Sequence, residues 1–273
     1  SRPTKGQKMI YMPSKEERHN HMKSRIPFSK CCLYCVRGKR MARALKPNVK
    51  TQEESDRGTA IIAIDYMKQK SKEGKMMEID ALPILMGIDR KKSWHMAMMV
   101  PHKGVDPFAI KALGREFELA GYRRLIIKSD QEPSILELIQ AVKRERSEDI
   151  EEMATEQSPV GEHQSNGQVE RAIQSIQGQI RTMTLSLESR YKMKLKEDHP
   201  IMAWLVRHAA MLINIIKVGQ DGRTAYERRK GRKFNRPLPE IGECITYLNP
   251  KSIGVGKLDP RWEQGIFAGP REE

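Results

Sequence analysis

Residues 158–181 read SPVGEHQSNGQVERAIQSIQGQIR, a polar, glycine-marked loop that runs into a long helix carrying Glu170 in its first turns. Apolar residues recur at Val169, Ile173, Ile176, Ile180, Met183 and Leu187, three or four apart, which gives the helix one face to bury. Glu170, Gln174, Gln177 and Arg181 follow the same spacing, so a carboxylate, two amides and a guanidinium are expected to project together from the polar face. On a surface helix such a face is ordinarily just solvated. Two acids elsewhere in the chain weigh against that bland reading.

Asp65 ends the run TAIIAIDYM, whose β-branched residues predict a buried strand. Asp130 closes RRLIIKSD, a similar run followed by the turn-and-helix signal QEPSILELIQ. An acid at the end of a buried strand is costly unless it is paired or bound to metal. Two such acids and one on a helix therefore suggest a carboxylate cluster. Carboxylates are hard oxygen ligands suited to Mg²⁺ or Mn²⁺, and two ions about 4 Å apart activate an attacking oxygen and stabilise a leaving one at phosphorus. The chemistry predicted is phosphoryl transfer on a nucleic acid.

The segment SNGQVER resembles the NG-x-x-E-R motif of retroviral and retrotransposon integrases. With IDYM around Asp65 and KSDQEP around Asp130, the three acids resemble the Asp, Asp, Glu triad of that superfamily. The thirty-nine residues between Asp130 and Glu170 suit the gap, although Gln131-Glu132 stands where Asn-Gly often follows the second Asp. The likeness is greatest to the integrase segment of copia-type retrotransposon polyproteins and spans nearly the whole chain. It implies a ribonuclease H-like α/β core with a mixed five-stranded sheet and flanking helices. It also implies DNA as partner, two Mg²⁺ or Mn²⁺ ions on Asp65, Asp130 and Glu170, and a homo-oligomer when active. The activity implied is trimming of element ends and joining of the 3′-hydroxyls to target DNA. Two other readings stand beside it: a non-catalytic DNA-binding remnant of a retroelement, and a ribonuclease H-type nuclease.

Charge supports a nucleic-acid partner. The chain of 273 residues carries a net +15, and residues 1–50 hold fourteen Lys and Arg against two Asp and Glu. Clustered cations gain affinity by releasing counterions from a phosphate backbone. The tract RGKRMARALK also reads as a nuclear-targeting signal, so a nuclear location is expected for function. No apolar run of about eighteen residues predicts a membrane span. The start at Ser1 reads as a processed product or a piece of a longer polyprotein.

Four cysteines, three of them Cys31, Cys32 and Cys35, are too few and too lopsided for a secreted disulfide framework. Cys32 and Cys35 have the spacing at which two thiolates hold one zinc, and His19 and His21 lie upstream. The resemblance implies an amino-terminal His, His, Cys, Cys zinc module with His21 as first ligand, and it places Arg25 where the second His should stand. Three outcomes follow: His19 replaces it, Cys31 replaces it, or the module holds no Zn²⁺.

Pattern changes along the chain, labelled as the resemblance implies, divide it into a basic His/Cys zinc-binding-like module over 1–46, a linker over 47–58, a catalytic core over 59–218, a basic linker over 219–239 and a partial β domain over 240–273. Within the core the expected order is three strands, then helix, strand, helix, strand and helix. Asp106-Pro107 starts one helix and Gly121 stops it. A further helix over 200–217, including Trp204, reads as core packing. The loop residue Asn166 is a candidate DNA contact with Gln174, Gln177 and Arg181. So are Arg228, Arg229 and Lys230, within a stretch at 223–236 that carries seven Lys and Arg against one Glu. A solvated basic linker explains the same residues.

Overall fold

The chain forms, in order, α1 (Lys15–Ser24), α2 (Leu33–Lys39), β1 (Ala60–Met67), β2 (Ile84–Asp89), β3 (Trp94–Met99), α3 (Pro107–Ala120), β4 (Arg124–Ser129), α4 (Pro133–Glu145), β5 (Glu152–Gln157), α5 (Gly167–Tyr191), α6 (Ile201–Ile216), α7 (Ala225–Lys230), β6 (Cys244–Leu248) and β7 (Trp262–Ile266). These elements come from a computed structural model that describes residues 12–39, 59–67, 82–146, 150–157, 167–248 and 261–270. Strands β1 to β5 make one mixed sheet in the order β3-β2-β1-β4-β5. The first three strands pair antiparallel, and β1–β4 and β4–β5 pair parallel. This is the α/β architecture, a mixed five-stranded sheet with flanking helices, that the ribonuclease H-like expectation required.

The two faces of β1 explain the layering. Ile62, Ile64 and Tyr66 enter one core with Leu113 and Phe117 of α3 and Ile135, Leu138 and Ile139 of α4. Ala63, one residue out of phase, meets Val169 and Ala172 of α5 on the other face, as the two-residue period of a strand demands. Ile176, Ile180, Met183 and Leu187 then pack with Ile84 and Met86 of β2 and with α6. Each aliphatic side chain withdrawn from water in this way contributes roughly 1.5–3 kcal/mol relative to exposure.

Local signals set the element ends. Asp106 caps α3 by accepting from the Ala109 N–H at 2.9 Å, Pro107 follows it, and Gly121 closes the helix in the left-handed region at φ 69°. The edge strand β3 is covered by α6. Asn214 accepts from the His95 N–H and donates to the His95 carbonyl, both at 2.8 Å, so a buried amide satisfies backbone groups that an edge strand leaves open.

Three expectations change. Residues 219–239 are not merely a basic linker. Thr224 caps α7 in a reciprocal box with Glu227, and Tyr226 of that helix packs against both hydrophobic clusters. Trp204 is 56% exposed, because the buried stripe of α6 runs through Leu205, Val206, Ala209, Leu212 and Ile213. The face of α5 opposite the sheet is only partly solvated, since α2 lies on it. A Cβ at Gly38 would meet Thr182 Oγ1 at 2.3 Å and the Thr182 backbone nitrogen at 2.8 Å. Only glycine permits that approach of the two helices. Among the described residues, the carboxyl-terminal β unit is the two-stranded ribbon β6–β7.

Candidate active site and His/Cys cluster

Asp65 lies in β1, and Asp130 follows the last residue of β4. The parallel register pairs Ala63 with Lys128. Continued two residues past that pair, it sets Asp65 opposite Asp130 on the sheet face that α5 covers. Both acids thus stand toward the carboxyl ends of neighbouring parallel strands, where crevices of open α/β sheets bind ligands. The Oδ1 atom of Asp65 is out of contact with solvent, and Asp130 Oδ1 accepts from the Glu132 N–H at 3.2 Å.

Glu170 is exposed in the first turn of α5. That turn sits on Ala63 and Ile88 through Val169 and Ala172, and Ala63 precedes Asp65 on the same strand face by two residues, about 7 Å. Glu170 therefore arrives on the face that carries the two aspartates. The only His, Cys, Asp and Glu group among the described residues whose ligand atoms all lie within 4.8 Å of one another is His21, Cys32 and Cys35. The three carboxylates are not drawn that close. Their oxygen chemistry and shared face nonetheless suit a hard divalent cation. Sequence reading missed Lys128, a buried cation paired with Glu156 at 3.3 Å and two residues before Asp130 on the same strand face.

The nucleic-acid candidates separate. Asn166 lies outside the described residues. Gln174 is exposed and Gln177 half-buried on α5. The Nε of Arg181 donates to the Gly38 carbonyl at 2.9 Å, which ties that side chain to α2. Arg228 forks onto Asp221, with Nε donating at 2.9 Å and Nη2 at 2.5 Å. Arg229 has a side chain only 2% exposed. It pairs with Glu116 at 2.8 Å, donates to the Glu116 and Leu119 carbonyls, and lies over the Trp94 ring at 4.2 Å. A guanidinium buried so fully is a packing element and not a phosphate contact. Lys230, next in the chain, is exposed.

The expected zinc module has three of its donors in place. Ser14 and Glu17 cap α1 reciprocally, His21 stands in its last turn, Cys32 just precedes α2, and Cys35 lies inside it. His21 Nε2 is 3.3 Å from Cys35 Sγ. Cys31 and His19 are exposed, and neither joins the group whose ligand atoms lie within 4.8 Å of one another. Arg25 occupies that side of the cluster instead, its Nη1 donating to Cys32 Sγ at 3.4 Å. A guanidinium has no lone pair to give, and this donor set does not fit a closed tetrahedral zinc site.

Electrostatics around the cluster follow from burial and from two cations. Burial lowers the His21 pKa, helped by Arg25 and Lys39. Burial works to raise the Cys32 thiol, but the Cys35 N–H and the Arg25 guanidinium outweigh it and leave the pKa lowered. Burial raises that of Cys35. Burial also opposes charge on Arg25, yet Glu240 and Cys32 more than offset it.

No family model and no curated protein matches the chain. Among solved structures, the chain is similar to the HTLV-2 integrase catalytic core domain in complex with magnesium, in a trimeric form. The two share 16% sequence identity, the match covers 62% of this chain and 95% of that one, and the TM-score is 0.41. No helix among the described residues is long and apolar enough to cross a membrane.

Proposed function

We propose that the chain is a metal-dependent polynucleotidyl transferase of the integrase kind, acting on the ends of a retroelement DNA and joining them to target DNA. The observation that supports this reading best is the register of β1 on β4, which pairs Ala63 with Lys128, each two residues before an aspartate, on the face that Val169 and Ala172 at the start of α5 cover. Asp65, Asp130 and Glu170 would hold two Mg²⁺ or Mn²⁺ ions. Bound there, such ions supply charge neutralisation at phosphorus and activate the attacking oxygen.

The chain's own groups do the rest. In end processing, water adds to a phosphodiester near the element's 3′ end, the 3′-oxygen leaves as a hydroxyl, and a dinucleotide departs with the phosphate. In joining, that hydroxyl attacks a target phosphodiester, its proton passes to solvent, and a target 3′-oxygen leaves. The number of phosphodiester bonds is unchanged. The exposed Gln174, Lys230 and amino-terminal cations would hold DNA by its phosphates, and Asn166 is proposed as a contact from the loop before α5. A nuclear location and a homo-oligomer belong to the same proposal.

The test is strand transfer on a duplex with the element's end sequence, in Mn²⁺ or Mg²⁺, beside a chelator control and Asp130→Asn. Asn keeps the shape of the side chain and removes its charge. Metal-dependent joined products that vanish in the variant, with DNA affinity retained, are the expected result. Binding without any joining by the folded wild-type protein would leave the non-catalytic remnant as the better reading, while cleavage of the RNA strand of a hybrid without joining would favour a ribonuclease H.

A further inference from the structure

We propose that Arg25 fills the corner a fourth zinc ligand would occupy, and that its guanidinium, in place of a metal ion, fastens the amino-terminal helices to α5 and to the segment at Glu240. Arg25 sits just past α1 in the left-handed region at φ 59°, with a side chain only 6% exposed. One edge of its guanidinium meets the cluster, Nη1 donating to Cys32 Sγ at 3.4 Å. Its Nη2 meets the rest of the fold, donating to Glu240 Oε1 at 2.6 Å and to Ser186 Oγ of α5 at 2.7 Å. The same guanidinium lies over the Tyr34 ring of α2 at 4.6 Å. Its backbone carbonyl accepts from Lys39 Nζ at the end of α2 at 2.7 Å.

Glu240 is built to receive it. Ser186 Oγ donates to Oε1 at 2.8 Å, Arg190 donates to Oε2, and the Glu243 side chain accepts from the Glu240 N–H. A buried ion pair needs its remaining donors and acceptors satisfied to repay desolvation. Here each Glu240 oxygen has a cationic partner and both terminal nitrogens of Arg25 donate, with its Nε the one buried donor of the pair that has no partner among the described residues, and three segments of chain converge on one guanidinium. The cluster's other two donors also have partners close by. His21 Nε2 and Cys35 Sγ are 3.3 Å apart, and Cys35 Sγ lies 3.5 Å from the Arg25 carbonyl. A dication placed among His21, Cys32 and Cys35 would face the fixed charge of Arg25 directly across Cys32. Two roles usually given to a metal, closing a small module and holding it in one place, thus fall to a side chain that needs no loading.

The test uses the full chain produced in zinc-supplemented medium, with zinc itself as the probe. Wild-type protein is expected to hold less than about a tenth of an equivalent of zinc after dialysis, and its melting temperature should not respond to a chelator. Arg25→His should gain about one equivalent, because His completes a His₂Cys₂ set. Glu240→Gln keeps Arg25 but removes the charge that anchors it. It should stay free of zinc and melt about 5 °C or more below wild type. Should Arg25→His fail to fold, wild type against Glu240→Gln still decides the matter. Wild-type protein that retains about one zinc and loses stability on chelation overturns the proposal, as does Glu240→Gln melting with wild type, or folded Arg25→His that takes up no zinc.

Discussion

Replacing Arg229 with Ala separates two accounts of the basic stretch before the carboxyl-terminal ribbon. Read as a string of cations, Arg229 is a phosphate contact. In the folded chain it is a buried fork whose side chain is 2% exposed, with Glu116 at 2.8 Å and 14% exposed beneath it. Truncation removes one charge-assisted bond, withdraws the donors to the carbonyls of Glu116 and Leu119, and strips a cation from the Trp94 face. Removing one member of a buried pair costs about 3–5 kcal/mol. The low end applies, near 3 kcal/mol, because Glu116 retains some access to water through which to relax. For a domain of this size each kcal/mol moves the melting temperature by about 2–4 °C, so a fall of roughly 6–12 °C is expected.

The assay is thermal unfolding by circular dichroism, paired with DNA affinity measured over a series of salt concentrations. Below its lowered melting temperature, Arg229→Ala should bind DNA with the wild-type salt slope, since no phosphate contact has gone. Arg229→Lys keeps the charge but loses the planar fork that reaches a carboxylate and two carbonyls together, and should recover less than half of the lost stability. A variant that melts within about a degree of wild type while its salt slope falls by about one would refute the reasoning and return Arg229 to the DNA-facing surface.

Two further predictions concern buried polar groups. His208 is 2% exposed, its ring nitrogens have no hydrogen-bond partner among the described residues, and burial holds its pKa at about 4; burial and then Lys217 do the same for His95. Both are neutral in the folded chain above the unfolded value of about 6.5. As pH falls from 6.5 toward 4 the unfolded state takes up protons that the folded state refuses, so each histidine withdraws up to about 1.4 kcal/mol of stability per pH unit. Urea midpoints at pH 7 and pH 5 should therefore draw closer in His208→Leu, with His95 and His21 carrying the remaining gap, and an unchanged pH dependence would rule the mechanism out. Asn214→Leu should cost about 2–3 kcal/mol in the same titration at pH 7, because it uncaps the backbone N–H and carbonyl of His95 on the sheet edge; a loss under about half a kcal/mol would mean that water or another group takes over the cap.

The strands, the α3 caps and the placement of two carboxylates were legible because each rests on a local pattern. An apolar run ending in Asp specifies both a strand and the end at which its acid stands, and Asp106-Pro107 with Gly121 brackets a helix wherever it packs. The second buried face of α5 was not legible. Gly178, Gln179, Thr182 and Ser186 carry no hydrophobic signal, yet Gln179 and Thr182 are fully buried, the Gln179 amide donating to the Ser24 carbonyl and the Thr182 hydroxyl to its own helix at Gly178. Polar side chains that bond their own helix, as Thr182 does, or the next one, as the Gln179 amide does, are buried against another helix and look like a wet face in sequence. The partners of Arg25 and Arg229 were not legible for a related reason: Glu240 and Glu116 are brought to them by tertiary contact and leave no mark at neighbouring positions. The one available signal was the glycine pair Gly38 and Gly178, whose backbones approach across the α2–α5 contact.

That second face gives α5 a larger part than delivering Glu170. From Glu170 to Ser186 the helix runs sixteen residues, about 24 Å at 1.5 Å per residue. At its start Val169 and Ala172 rest on the sheet beside the aspartates; at its far end Ser186 and Arg190 hold Glu240, and Tyr191 donates to the Gly242 carbonyl. The amino-terminal helices are therefore fixed to the same rod that carries the candidate catalytic carboxylate, along its middle at Gly178 to Thr182 and farther on at Ser186, and the approach to the carboxyl-terminal ribbon is held at its far end. Between the two ends Ile176, Ile180, Met183 and Leu187 seat the rod on β2 and α6 without help from α2. Apolar packing of that extent seats α5 on the sheet independently of Arg25, so loss of the Arg25 network is expected to loosen the flanking modules before it moves Glu170. Arg25 in place of a fourth ligand then bears on how the flanking parts are held, and the carboxylates at the carboxyl ends of β1 and β4 bear on whether the chain acts on DNA.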